Sequence, residues 1–336
     1  MKYVLVALFS ILTLSCNSAQ NANTKTANRV DYAATITAED LKAHLYTFAG
    51  DAFEGRMTGT DGQKMAAEYL RNFYMDQGIA SPIEENNYYQ IIPASYLGRR
   101  ITNDSENVLA YIQGSEKPEE VIVLSAHYDH VGKREDGTIY NGADDDGSGT
   151  VAMLEIAEAF QKAVKDGNGP KRSILFLHVT GEEIGLYGSK YYTENPVFPL
   201  ENTLCNLNTD MIGRIDPDKA DNPNYIYLIG SDKLSEELHQ LSEDVNKTYI
   251  NLELDYKFND DNDPNRFYYR SDHYNFAKNN IPVIFYFNGV HEDYHKPTDT
   301  PDKIEYELMA KRAQLIFQTT WEVANREERI TADKLK

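Results

Sequence analysis

The stretch VIVLSAHYDH (121–130), answered at 174–183 by ILFLHVTGEE, decides the fold. Each segment opens with a short, unbroken apolar run and closes on titratable side chains. Between them, residues from about Ser148 to Lys165 read as a helix. A buried strand, a crossover helix and a second buried strand form a parallel pair covered on both faces, the unit of an α/β protein. The pattern continues with a helix near 186–194, the run LCNLN (204–208), strands at Tyr225–Ile229 and Val283–Phe287, and a closing helix over Ile304–Asn325. Upstream, Met65, Ala66, Tyr69, Leu70, Phe73 and Tyr74 recur at helical spacing within 61–77, and Gly78 supplies a stop. Residues 84–113 alternate in part around a Gly-Arg-Arg turn, which predicts a β-hairpin.

The length of 336 residues fits one large α/β domain, placed at 36–330, behind a leader and a tether. Residues 1–15, MKYVLVALFSILTLS, carry Lys2 and an apolar core of signal-peptide length, too short for a membrane span. Cys16 follows at once, as in a bacterial lipoprotein signal, although Thr13 stands where that signal has leucine. Export is expected, with Cys16 lipidated and the protein held at the cell envelope on its periplasmic or outer-surface side. Residues 16–35 are polar and small and read as a flexible tether. Cys205 alone remains in the mature chain, so no intramolecular disulfide is available, and it reads as a buried hydrophobe. A net charge of −20, from 53 acidic and 33 basic residues, argues against nucleic acid or an anionic membrane surface as the main partner. Two loops rich in Asp, Asn and Pro, 214–224 and 255–270, are expected to rim a cleft.

Five segments carry the chemistry: AHYDH (126–130), GADDDGSG (142–149), TGEEIG (180–185), NTDMIG (208–213) and DYHKPTD (293–299). Three follow predicted strands directly, and in open α/β sheets ligands gather beyond the carboxyl ends of the strands. His, Asp and Glu without cysteine suit zinc, with manganese or cobalt also compatible. Spacing alone leaves Asp144, Asp145 and Asp146 equally able to reach a cation.

With these motifs the chain resembles the co-catalytic zinc aminopeptidases, metallopeptidase family M28, over roughly residues 50–320, EGRMTGTDGQ (54–63) included. The resemblance implies a three-layer fold with a mixed, mostly parallel central sheet, the zinc-exopeptidase or phosphorylase/hydrolase-like architecture. It also implies two zinc ions, one held by His127 and Asp210, the other by Glu183 and His295, with Asp145 bridging both. Asp129 would accept a proton from the His127 imidazole and orient it. Glu182 would be the general base and Tyr294 a donor to the developing oxyanion. His130 is not expected as a ligand, because the family pattern uses the first histidine of the pair. Asp144 and Asp146 would support the site or cap the helix. His178 reads as a satisfied core residue and His239 as helix surface, while Ser271–Asp272–His273 and His291 would support the cleft.

The implied function is an exopeptidase that removes N-terminal residues from peptides. A glutaminyl cyclase would share the fold but use one zinc. A carboxypeptidase for acidic C-terminal residues would need arginines to hold a carboxylate, and no basic cluster lies near the motifs. A non-catalytic, peptide-binding lipoprotein would be expected to lack Glu182 or a ligand, and the chain retains them all.

Overall fold

The computed structural model describes residues 29–335. The expected signal peptide, Cys16 and residues 17–28 of the tether lie outside them. Among the described residues there are ten strands: β1 (Tyr89–Ile92), β2 (Ser105–Ile112), β3 (Lys117–His127), β4 (Gly132–Lys133), β5 (Ile139–Tyr140), β6 (Arg172–Val179), β7 (Thr203–Thr209), β8 (Tyr225–Ile229), β9 (Glu253–Asp255) and β10 (Val283–Phe287). The α-helices that frame the sheet are α1 (Ala38–Phe48), α2 (Asp61–Gln77), α3 (Gly149–Lys165), α4 (Tyr187–Glu194), α5 (Glu236–Val245), the short α6 (His273–Ala277) and the long α7 (Tyr306–Asn325).

Eight strands form one sheet in the order β1-β2-β6-β3-β7-β10-β8-β9. Its centre, β6-β3-β7-β10, is parallel, and β2 and β8 run antiparallel against its two sides. The mixed sheet agrees with the sequence reading. Side chains of the central strands alternate between two cores: Ile122 and Leu124 pack in one cluster, Val121 and Val123 in the other. Helices α1, α2, α3 and α7 cover the first face, where Leu41, Leu70, Leu154 and Ile316 are buried. Tyr192 of α4 and Phe276 of α6 cover the second. Both faces are therefore apolar, which is why the central strands read as unbroken apolar runs.

The chain leaves β3 through α3 on one face to reach β6, then crosses by α4 on the other face to β7. The order of strands reverses at β3, and a crevice opens beyond its carboxyl end. Packing also begins earlier than the predicted domain start at 36: Arg29 and Tyr32 are buried, Arg29 pairing with Glu322 and Tyr32 stacking on Trp321 of α7. Residues 29–35 of the expected tether thus belong to the domain, because two large side chains find apolar or charged partners there.

Candidate metal centre

Every strand of the parallel centre delivers part of the site. His127 ends β3, Glu182 and Glu183 follow β6 after Thr180–Gly181, Asp210 follows β7, and His295 stands beyond β10. Asp145 comes from the turn that opens α3. That turn needs Gly142 at φ +57°, where a Cβ would lie 2.4 Å from the Asp145 carbonyl oxygen and 2.5 Å from the His130 ring.

The two oxygens of Asp145 face different partners. Oδ1 lies 3.1 Å from His127 Nε2, which is itself 3.6 Å from Asp210 Oδ1. Oδ2 lies 3.0 Å from His295 Nε2, which is also 3.0 Å from Glu183 Oε2. All five residues expected as ligands are thereby brought together, in two groups sharing one carboxylate. His130, not expected there, joins them: its Nδ1 is 2.8 Å from Glu183 Oε1 and 3.7 Å from Asp145 Oδ2. It immediately follows Asp129 in the quoted motif, so its position was available in the sequence although its partner was not.

Buried atoms without a hydrogen-bond partner concentrate at this point. They include His127 Nε2, both ring nitrogens of His130, Asp145 Oδ2 and Glu183 Oε1. Buried polar atoms normally find partners, so convergent orphans of mixed N and O type call for a shared one. Donor atoms of His127, Asp145 and Asp210 lie within 4.8 Å of one another, as do those of His130, Asp145 and Glu183. The donor set suits a divalent ion of the zinc class in each half.

The charges lead to the same requirement. Burial raises the Asp145 carboxyl, but the imidazoles of His127 and His295 beside it hold it well below the usual range. Burial lowers the His127 imidazole, yet Glu182, Asp210 and Asp145 raise it well above its ordinary value. Burial and Asp145 push the Glu183 carboxyl up, and His130 and His295 outweigh them to pull it down. Imidazolium–carboxylate pairs here supply the positive charge that a metal cluster supplies when filled. Glu182 lacks such an ion pair, and burial pushes its carboxyl well above the usual range.

The surrounding residues fix these groups in place. His127 Nδ1 donates to the Asp129 backbone carbonyl at 3.0 Å, while the Asp129 carboxylate stands 3.9 Å away. That carboxylate instead accepts from Thr58 Oγ1 and from the Glu182 backbone N–H. The sequence reading gave the imidazole contact to the carboxylate; the fold gives it to the main chain and turns the carboxylate toward the glutamate loop. Asp144 accepts from Gly213 N–H and contacts His291, and Asp146 accepts from Gly149 and Met211 N–H, in keeping with the supporting and capping roles expected of them.

Two organisers, Arg56 and Asp299, went unread; Asp272 lies in the segment expected to support the cleft. Arg56, fully buried, donates to the carbonyls of Tyr128, Asn141, Gly142 and Phe48 and so ties the two ligand loops together. Asp299 accepts from the N–H groups of Asp144 and Asp145. Asp272 is bonded by Ser189, and burial pushes its carboxyl up to about 7. Arg56 and Asp299 lie inside quoted motifs, but their role is to bond backbone, which no residue pattern advertises. Tyr294 stacks on His295 with ring centroids 3.9 Å apart, and burial raises its phenol, keeping it protonated. Both line a cleft of about 370 Å³, open mouth included, together with the acidic Asp145, Glu182 and Asp210, the basic Arg270 and the apolar Met211, Phe267, Phe285, Phe287 and Val290. His178 is buried against Tyr74 and His239 contacts Ser231, both apart from the site.

Comparison with known proteins fits this geometry. The model of the family described as Peptidase family M28 matches residues 107–320. A protein of Pyrenophora teres f. teres described as a probable zinc metalloprotease is 28% identical over 304 residues, covering 77% of this chain and 59% of that protein. The chain thus spans little more than half of that relative. The crystal structure of the Legionella pneumophila LapA aminopeptidase superposes with a TM-score of 0.69 at 20% identity, covering 97% of this chain and 81% of that one. The Bacteroides thetaiotaomicron glutaminyl cyclase bound to N-acetylhistamine gives 0.63 at 18% identity, covering 87% and 99%.

Proposed function

The chain belongs to peptidase family M28, and from that premise we propose that it is a two-zinc aminopeptidase, hydrolysing N-terminal residues of peptides. The observation that carries the reading is Asp145, whose two oxygens serve two donor groups, with Glu182 beside them and in no ion pair with any of the described residues. His127 and Asp210 would hold one ion, Glu183 and His295 the other, and Asp145 both; His130 clamps the Glu183 oxygen that faces away from His295. When bound, the ions supply Lewis acidity, polarising the scissile carbonyl and lowering the pKa of water.

The protein's own groups carry the proton. Glu182 takes one from the attacking water and returns it to the leaving amine, and burial makes its carboxylate the stronger base that holds the proton between the two transfers. The Asp129 carboxylate holds the Glu182 backbone N–H and so sets where that base points. Tyr294 keeps its O–H and donates it to the oxyanion as the carbonyl carbon becomes tetrahedral. The carboxylates of the cleft favour the substrate's free ammonium group.

The test is a panel of aminoacyl and glutaminyl substrates with and without a chelator. Chelator-sensitive release of N-terminal residues supports the aminopeptidase. Cyclisation of N-terminal glutamine without peptide hydrolysis would replace it with a glutaminyl cyclase, and inertness with retained peptide binding would leave a binding lipoprotein. Export and anchoring through Cys16 are part of the same proposal, argued from residues 1–16 alone. Cys16→Ser should move the protein from the membrane fraction to the soluble envelope fraction, and an unchanged membrane fraction would remove the anchor from the account.

A further inference from the structure

The wall of the metal cleft includes one side chain whose charge the hydrolytic machinery does not use. Arg270 lies at the end of the 255–270 loop, and its exposed side chain lines the cleft shared with Asp145, Glu182, Asp210 and His295. Its backbone N–H bonds to Phe267 O, and its guanidinium sits 4.9 Å from the centre of the Phe267 ring. Among the described residues no carboxylate stands at ion-pair distance from it. Stacking on an aromatic face holds a guanidinium plane in place while leaving its N–H groups free to donate. The contrast with Arg214, which is engaged by Asp293 and Glu292, is plain.

The cleft is therefore lined by groups of both signs, buried carboxylates and a guanidinium that no carboxylate of the described residues pairs. A substrate carrying an ammonium group alone would satisfy only the first. Building on the aminopeptidase reading, we propose that Arg270 is a specificity residue that binds a carboxylate of the substrate, so that the preferred substrates carry both an N-terminal amine and a nearby negative charge. That carboxylate belongs either to the C-terminus of a very short peptide or to an acidic first side chain. Both present the same planar pair of oxygens to the guanidinium fork. No basic cluster is visible in the sequence because a single arginine suffices, and the fold of the loop, not the local pattern, brings it to the metals.

The experiment measures kcat and KM of the zinc-loaded wild type, Arg270→Gln and Arg270→Lys on two matched pairs. Leu-Ala is paired with Leu-Ala-amide, and Glu-p-nitroanilide with Leu-p-nitroanilide. In one pair, Arg270→Gln should lower kcat/KM for the carboxylate-bearing member at least about tenfold more than for its neutral partner, chiefly through KM, with Arg270→Lys in between. The pair that responds identifies the source of the carboxylate. Equal effects of Arg270→Gln on both members of both pairs overturn the assignment while leaving the peptidase standing. Absence of hydrolysis of all four substrates by the wild type overturns the peptidase reading, and this assignment with it.

Discussion

Adjacent in the chain, Glu182 and Glu183 differ in what meets their carboxylates: Glu183 is held by His130 and His295, whereas Glu182 has no ionic partner among the described residues and its carboxyl is raised by burial. Substituting each therefore has a distinct consequence. Glu182→Gln should retain the full complement of metal and lose kcat by about 10²–10⁴-fold, the range for removing a general base. Turnover near the wild-type level in that variant would exclude Glu182 from proton transfer. The two histidines on Glu183 also separate. His295→Gln should bind one ion fewer per chain, whereas His130→Gln should keep both with about 10–100-fold weaker affinity for one, as expected when a ligand's orienting partner is lost. The reverse pattern, measured by metal titration, would make His130 the ligand and His295 the support.

At the scale of elements, much was legible and the reason is physical. Tyr225–Ile229 and Val283–Phe287 were bounded as the fold has them, and the helix over 61–77 ends at Gly78, left-handed at φ +71° and donating to the Tyr74 and Met75 carbonyls. Buried strands and capped amphipathic helices write their limits into apolar pattern and glycine. Of the five residues expected as ligands, His127, Glu183 and Asp210 were legible because they follow strand ends, whereas Asp145 and His295 were expected only through the family resemblance. Arg56 was not, since its four partners are backbone carbonyls in α1 and in the loops after β3 and β5, brought together only by the tertiary structure. Nor was the turn of the Asp129 carboxylate away from His127, which depends on where the loop after β6 passes. Arg56→Met removes a buried cation and leaves those carbonyls unpaired, and should cost about 3 kcal/mol in denaturant unfolding while weakening metal binding. A loss under about 0.5 kcal/mol would show that the ligand loops hold their shape without it.

For the whole molecule, stability and metal occupancy are the readouts. His178 and His273 are buried, and burial lowers each imidazole to about 3. Both stay neutral in the fold, while in the unfolded chain they take up a proton near pH 6.5. The unfolded state thus binds more protons between about pH 6.5 and 3, so stability falls as pH drops through that window and is unaffected above it. The slope from each histidine approaches about 1.4 kcal/mol per pH unit, and His178→Gln should be flatter than wild type by that amount between pH 6 and 4. Parallel wild-type and variant profiles would mean that His178 is protonated in the fold. Whether Asp145 joins two metal sites is measured most directly by zinc titration of the metal-free protein by calorimetry. Two ions per chain for the wild type, with the second lost or greatly weakened in Asp145→Ala, is the predicted result; a single site in the wild type, unaffected by Asp145→Ala, would contradict it.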